Sequence, residues 1–162
     1  MSDLQHSINN IASIHLGRAA DGTVVKPYET PTDVDSSLLV SVPRYLNREQ
    51  YGIAEDNLPF VGVDAWNCYE FSTLLKNGFP VSGWLKFTVS ADSPNIVESK
   101  SVKLYLNSFN MARLIEDHLS ELYIIEDIIA RDLSIATDGH VDVCLEINDI
   151  ETLKPFHGDF TL

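Results

Sequence analysis

The strongest constraint on the fold lies at residues 61–90, where two stretches approaching apolar–polar alternation flank one short turn. In the second stretch Leu85, Phe87 and Val89 fall on one side and Trp84, Lys86 and Thr88 on the other, the period of two that a half-buried strand shows. The sequence Leu75-Lys76-Asn77-Gly78-Phe79-Pro80 between them carries the punctuation of a turn. Residues 61–72 and 81–90 are therefore predicted to pair antiparallel. Ala91-Asp92-Ser93-Pro94-Asn95 makes a second break.

Beyond that break the period changes from two to three and four. A helix starting near Ser99 places Val102, Tyr105, Leu106 and Phe109 at i, i+3, i+4 and i+7 on one face, with Lys100, Lys103 and Asn107 elsewhere. A longer helix is predicted over 119–136, where Leu122, Ile125, Ile129 and Leu133 form the apolar stripe and acidic residues take the other positions. Gly139 is expected to end it, and residues 140–147 alternate as a returning strand with Cys144 on the polar face. Residues 1–59, punctuated by Gly17, Gly22, Gly52, Pro27, Pro31, Pro43 and Pro59, read as loop-rich with short elements. The organisation expected is an N-terminal extension, 1–59, packed on a module over 60–162. The fold class expected is α+β, an antiparallel sheet with two helices packed on one face.

A chain of 162 residues buries a core without needing a disulfide or metal staple. The net charge of −13 argues against binding along a nucleic-acid backbone, which requires cations spread over a face. One pocket can still take a small anion, because local donors decide there. No run of about 18 apolar residues is present to span a membrane. Met1-Ser2-Asp3-Leu4 opens no basic stretch followed by an apolar one, so a cytoplasmic protein is expected. Cys68 and Cys144 form no CxxC pair, and His6, His15, His118, His140 and His157 form no HxxxH or HExxH pair. No metal site follows from their spacing.

Residues 98–109, Glu-Ser-Lys-Ser-Val-Lys-Leu-Tyr-Leu-Asn-Ser-Phe, concentrate hydroxyls and lysines at the start of the first predicted helix. Free backbone N–H groups in a first turn, with Ser99, Ser101, Lys100 and Lys103 beside them, suit a phosphate or another anion. Glu98, just outside the turn, suits the N–H edge of a heterocycle. The same residues also suit an ordinary capped and solvated helix start.

The block Glu98-Ser99-Lys100-Ser101-Val102-Lys103-Leu104-Tyr105, with Val42-Pro43-Arg44-Tyr45-Leu46-Asn47-Arg48 and Asp56-Asn57-Leu58-Pro59-Phe60, resembles the nitrile reductase family. That family converts 7-cyano-7-deazaguanine to 7-aminomethyl-7-deazaguanine in queuosine biosynthesis, a tRNA modification. More narrowly, the chain is similar to the N-terminal half of the long, two-module form. The resemblance implies the tunnelling fold (T-fold), in which sheets of several modules join and purine- or pterin-like ligands bind between them; it implies self-association as well. It further implies that Val97, Glu98 and Ser99 contact the deazaguanine, that Ser99 and Lys100 contact NADPH, and that residues 156–162 lead toward a second module.

The resemblance breaks where the reaction should occur. In the family a cysteine thiolate adds to the nitrile carbon, two hydride transfers reduce the product to an amine, and a nearby aspartate relays protons. The one-module form carries these in a Cys-Pro-x-Thr-Gly-Gln-Pro-Asp-Phe stretch, to which residues 75–81 correspond here; Leu75 stands in the nucleophile's place and no aspartate follows. The family's His-Glu pair on the second helix is also missing, with Asp117, His118 and Glu121 the nearest candidates. Cys68 stands on a predicted strand near Glu70, whose charge works against a thiolate. The expectation is a module that supplies binding residues, contains no catalytic residue of its own and relies on a cysteine-bearing second module or subunit. The alternative is a non-catalytic T-fold module that binds or senses a purine- or pterin-like ligand.

Overall fold

The computed structural model describes residues 31–116 and 119–147. His6, His15, Asp117, His118 and His157, and the stretches 1–30 and 148–162, lie outside the described residues. The chain is α+β. Strand β2 (Val63–Leu74) pairs antiparallel with β3 (Pro80–Ser90), and β3 pairs antiparallel with β5 (Val141–Ile147), giving a three-stranded sheet in the order β2-β3-β5. A two-stranded sheet joins β1 (Ser41–Pro43) to β4 (Asn95–Val97). The helices are a single turn, α1 (Tyr45–Arg48), then α2 (Ser99–Asn107) and α3 (Leu122–Thr137), the last preceded by a 3-10 turn.

The alternation in β3 sets the core. Leu85, Phe87 and Val89 are buried and share one cluster with Val102, Tyr105, Leu106 and Phe109 from the α2 region and Ile125, Ile129 and Leu133 from α3. Both helices thus cover the same face of the sheet, as the two periods predict. Phe109 stands edge-on to Tyr105, with ring centroids 5.4 Å apart. The turn at 75–80 closes through Leu75 N–H donating to Phe79 O at 2.9 Å and Gly78 N–H donating to Leu75 O at 2.8 Å, with Gly78 at φ 90°.

Three features depart from the sequence reading. The end of α3 is capped by Asp138, which takes the left-handed conformation (φ 53°, ψ 41°), not by Gly139. Aspartate tolerates that region, and Gly139 serves instead in close packing, since a Cβ there would stand 2.7 Å from the Cβ of Ser93. Asp132, expected on the solvated side of α3, is buried and accepts a hydrogen bond from the Tyr105 hydroxyl at 2.9 Å. The ladder between β2 and β3 shifts register between Cys68 and Phe71, leaving Tyr69 and Glu70 in a bulge.

Residues 35–44 run as a strap across the helices, tied by side chains rather than by long strands. Ser108 Oγ accepts from Asp35 N at 3.1 Å, Ser101 Oγ accepts from Val40 N at 3.1 Å, and Ser41 Oγ donates to Ala136 O at 2.6 Å. Arg44, buried at the end of the strap, pairs with Asp64 at 2.5 Å and donates to Ser93 Oγ at 3.1 Å. Its backbone N–H donates to Pro94 O, so the turn leading into β4 and then Glu98 is held from two directions.

Candidate functional site

Glu98 follows β4 directly and is the N-cap of α2. Its Oε1 accepts from Lys100 N at 3.0 Å and its Oε2 from Ser101 N at 2.7 Å, while its own N–H donates to Val40 O at 2.9 Å. The carboxylate therefore takes two of the first-turn donors that the sequence alone offered to an anion. Ser101 is withdrawn as well: it is fully buried, its hydroxyl donating to Glu98 O at 2.6 Å and accepting from Val40 N. What the start of α2 presents outward is the remaining lone-pair capacity of Glu98, the exposed Ser99 and the exposed Lys100. Val97 is buried beneath them. Among the described residues Lys100 forms no ion pair.

Beside this turn lies a cavity of about 360 Å³ between α2 and the bulged part of β2. Trp66, Val102 and Leu106 give it apolar walls, Cys68 lies half-buried in it, and Ser99 and Lys103 reach it from α2. The Trp66 ring is stacked on Phe87, centroids 5.3 Å apart and planes 11° from parallel, which fixes that wall against the core. Lys103 Nζ meets Glu70 Oε2 at 3.1 Å, joining the helix to the bulge. Lys103 is one turn on from Ser99, and i, i+4 spacing is the signal that joins the two in the sequence. Its membership of a cavity additionally required the bulge of β2, which nothing in the residue pattern announces.

Leu75 and Glu121 lie away from the cavity, whereas Cys68 lines it with Ser99 and Lys103. Leu75 is 6% exposed, packed in the core, and bridged to Ile115. Glu121 accepts from Glu116 N at 2.8 Å. Burial pushes the Cys68 thiol above its ordinary range, which keeps it protonated. Among the described residues no group of three or more His, Cys, Asp or Glu is placed to hold a metal ion, and no helix is long and apolar enough to cross a membrane.

A half-buried carboxylate at a helix cap, next to a hydroxyl, two lysines and an aromatic-walled cavity, suits a planar heterocycle with hydrogen-bonding edges. Residues 30–145 match the family described as nitrile reductase, 7-cyano-7-deazaguanine reductase N-terminal part. The chain belongs to this family. It is 50% identical over 122 residues to the NADPH-dependent 7-cyano-7-deazaguanine reductase of Rickettsia canadensis (strain McKiel), a match covering 75% of this chain and 42% of that protein. It is 44% identical over 110 residues to the protein of the same name from Aromatoleum aromaticum, covering 68% and 37%. The one from Azoarcus sp. (strain BH72) is 39% identical over 145 residues, covering 90% and 47%. The chain thus spans less than half the length of these curated relatives. The stretch assigned to the nitrile reductase family contains the cap, the cavity, Leu75 and Cys68 together.

Proposed function

We propose that this chain is the N-terminal module of an NADPH-dependent nitrile reductase that reduces 7-cyano-7-deazaguanine to 7-aminomethyl-7-deazaguanine in queuosine biosynthesis in the cytoplasm. In this reading residues 60–162 form a T-fold module, 1–59 an extension packed on it, and modules associate so that their sheets join. Glu98, Ser99 and the backbone of the buried Val97 face the deazaguanine; Ser99 and Lys100 face NADPH. The reacting thiol and the proton-relaying aspartate belong to a second, cysteine-bearing module or subunit.

The observation that carries the reading is a contrast within one chain: the family block is displayed at a capped, exposed helix start, while the counterpart of the nucleophile is a core leucine. Glu98 accepts three hydrogen bonds from its own helix, from Lys100 N, Ser101 N and, at 3.5 Å, Ser99 Oγ, and retains lone pairs for the N–H donors of a guanine-like edge. The cap also fixes the carboxylate's orientation, so little freedom is lost on binding. The donors present fit a phosphate through side chains rather than through backbone N–H groups, because Glu98 occupies the latter. NADPH, when bound, supplies the hydride that the nitrile carbon receives. The residues of this chain hold the base and an anionic group of the cofactor in place.

Mixing this chain with a separately expressed cysteine-bearing half tests the reading. Oxidation of NADPH that depends on the nitrile is expected, falling at least about tenfold with Glu98→Ala through loss of a charged acceptor to the base. Inactivity of a correctly assembled mixture overturns it. The cavity within the single module favours one further reading, a ligand-binding module without catalysis. Calorimetry separates the two, since saturable binding of 7-cyano-7-deazaguanine with no activity in any mixture supports the second.

A further inference from the structure

We propose that Arg44 is a positioning residue of the site: it ties the turn that delivers Glu98 to the strand that carries Trp66, and so fixes the capping carboxylate relative to the aromatic wall. The inference rests on the reading of Glu98 as a group that meets the deazaguanine, and adds the residue that holds it.

Three observations lead there. First, Arg44 is 7% exposed, and its side chain joins two segments that are distant in sequence. Toward the turn, Nε donates to Ser93 Oγ at 3.1 Å and a terminal nitrogen donates to Ser90 O at 3.4 Å; toward β2, the same nitrogen meets Asp64 at 2.5 Å. Asp64 stands two positions before Trp66, on the same face of the strand. Among the described residues Asp64 Oδ2 is buried without a hydrogen-bond partner, so the charge of Arg44 is what compensates it.

Second, the turn leads straight to the cap. Ser93 Oγ passes the contact on by donating to Asn95 O at 2.9 Å, and the backbone N–H of Arg44 donates to Pro94 O at 2.9 Å. Asn95–Val97 is the whole of β4, and Glu98 follows it. A ladder of three residue pairs with β1 is too short to hold a direction by itself. Third, the other end of that ladder is closed by Glu98 N–H donating to Val40 O, and by Ser101 Oγ, which accepts from Val40 N and donates to Glu98 O. Strand β4 is thus clamped by Arg44 at one end and by Val40 and Ser101 at the other, and Glu98 leaves it in the extended conformation that the cap needs. The planar guanidinium suits this place because its donors point in several fixed directions, where a lysine offers a single point charge.

Two variants separate the contacts. Arg44→Lys keeps a cation for Asp64 and removes the fork; Ser93→Ala keeps the ion pair and removes the link to Asn95. In both, the amides of Lys100 and Ser101, which Glu98 caps, are expected to exchange hydrogen about tenfold faster in the chain alone, while the amides of β3 and α3 keep their rates. In the mixture with a cysteine-bearing half, KM for 7-cyano-7-deazaguanine rises about fivefold at unchanged kcat, because a carboxylate that is no longer held in place loses freedom on binding. KM for NADPH changes by at most about twofold, since Lys100 meets it through a flexible stem. Arg44→Lys added to Glu98→Ala brings no further rise in KM for the nitrile, because the two changes remove one contact.

Unchanged exchange at Lys100 and Ser101 in both variants overturns the proposal. So does a fall in kcat at unchanged KM, the mark of an arginine that serves folding alone, or a rise in KM that Arg44→Lys causes equally with and without Glu98. Turnover of the nitrile with the wild-type KM in Arg44→Lys removes this inference and leaves the reductase reading standing. Faster exchange at the two amides in a chain that no mixture activates does the reverse: Arg44 remains the residue that orients the cap, and the reductase reading falls.

Discussion

Lys103 and Tyr105 stand two residues apart on α2 and each holds a carboxylate, Glu70 at 3.1 Å and Asp132 at 2.9 Å. The first pair lies in water beside a cavity. The second is enclosed between α2 and α3, where Asp132 also receives Nε and a terminal nitrogen of Arg131 at 3.1 and 3.0 Å. A screened pair can give up its partner to a ligand with small loss, whereas a buried group left unpaired carries the full cost of its lost hydration. One helix therefore carries the same kind of pair twice, enclosed on one face and open to water on the other. The residues to test for ligand traffic are those on the wet face, and the dry face tests how rigidly the site is held.

The largest effect belongs on the dry side, at Leu75 in the core. Leu75→Ala removes a buried side chain from the core cluster and is expected to cost about 2–5 kcal/mol in urea denaturation. Ligand affinity per folded molecule should stay unchanged, because Leu75 lines no part of the cavity. A loss of stability near zero would show that this turn is not part of the core and would erase the contrast with Ser99 and Lys103.

Tyr105→Phe breaks the buried pair selectively and is expected to cost about 1.5–3 kcal/mol, the range for a hydrogen bond to a charged group. Burial first, and then the charge and hydrogen bond of Asp132, hold the Tyr105 phenol far above its ordinary value of 10.0. The unfolded chain therefore releases this proton near its ordinary value while the folded chain keeps it, so Tyr105 supports the fold fully below 10.0 and progressively less as pH rises beyond. Denaturation on either side of that pH should show the advantage of the wild type over Tyr105→Phe shrinking in alkali. An advantage that is constant with pH would place the hydroxyl in contact with solvent.

Much of this contrast is written in the sequence, and the remainder is not, for definite reasons. The stripe of Val102, Tyr105, Leu106 and Phe109 and the alternation of Leu85, Phe87 and Val89 both identify buried faces, because burial on one side imposes its period on the chain. Asp132 breaks no period: an acidic residue on a helix reads as solvated until a partner such as Tyr105, 27 positions away, is known. The pairing of β1 with β4 involves three residues on each side, too few to mark a period. Glu98 was legible as an acceptor beside the helix start, but its capping bonds to Lys100 and Ser101 depend on the extended conformation (φ −74°, ψ 133°) in which β4 delivers it. The cavity was least legible, since it exists where the register of β2 slips at Tyr69 and Glu70.

The smallest effect is expected at Cys68, the one thiol that the cavity shares with Ser99 and Lys103. Its place invites comparison with a nucleophile, but its surroundings work against that role. Burial raises its pKa above the ordinary 9.0, so at neutral pH the sulfur keeps its proton and lacks the thiolate that adds to a nitrile. The raised value has the same sign as that of Tyr105: the unfolded thiol ionises first, and the contribution of Cys68 to stability falls as pH passes upward through 9.0. Intact mass spectrometry after incubation with 7-cyano-7-deazaguanine should record no adduct, and alkylation should reach the exposed Cys144 before Cys68. A mass gain of one nitrile molecule that Cys68→Ala abolishes would move the reacting sulfur into this chain and overturn the proposed reliance on a cysteine-bearing second module.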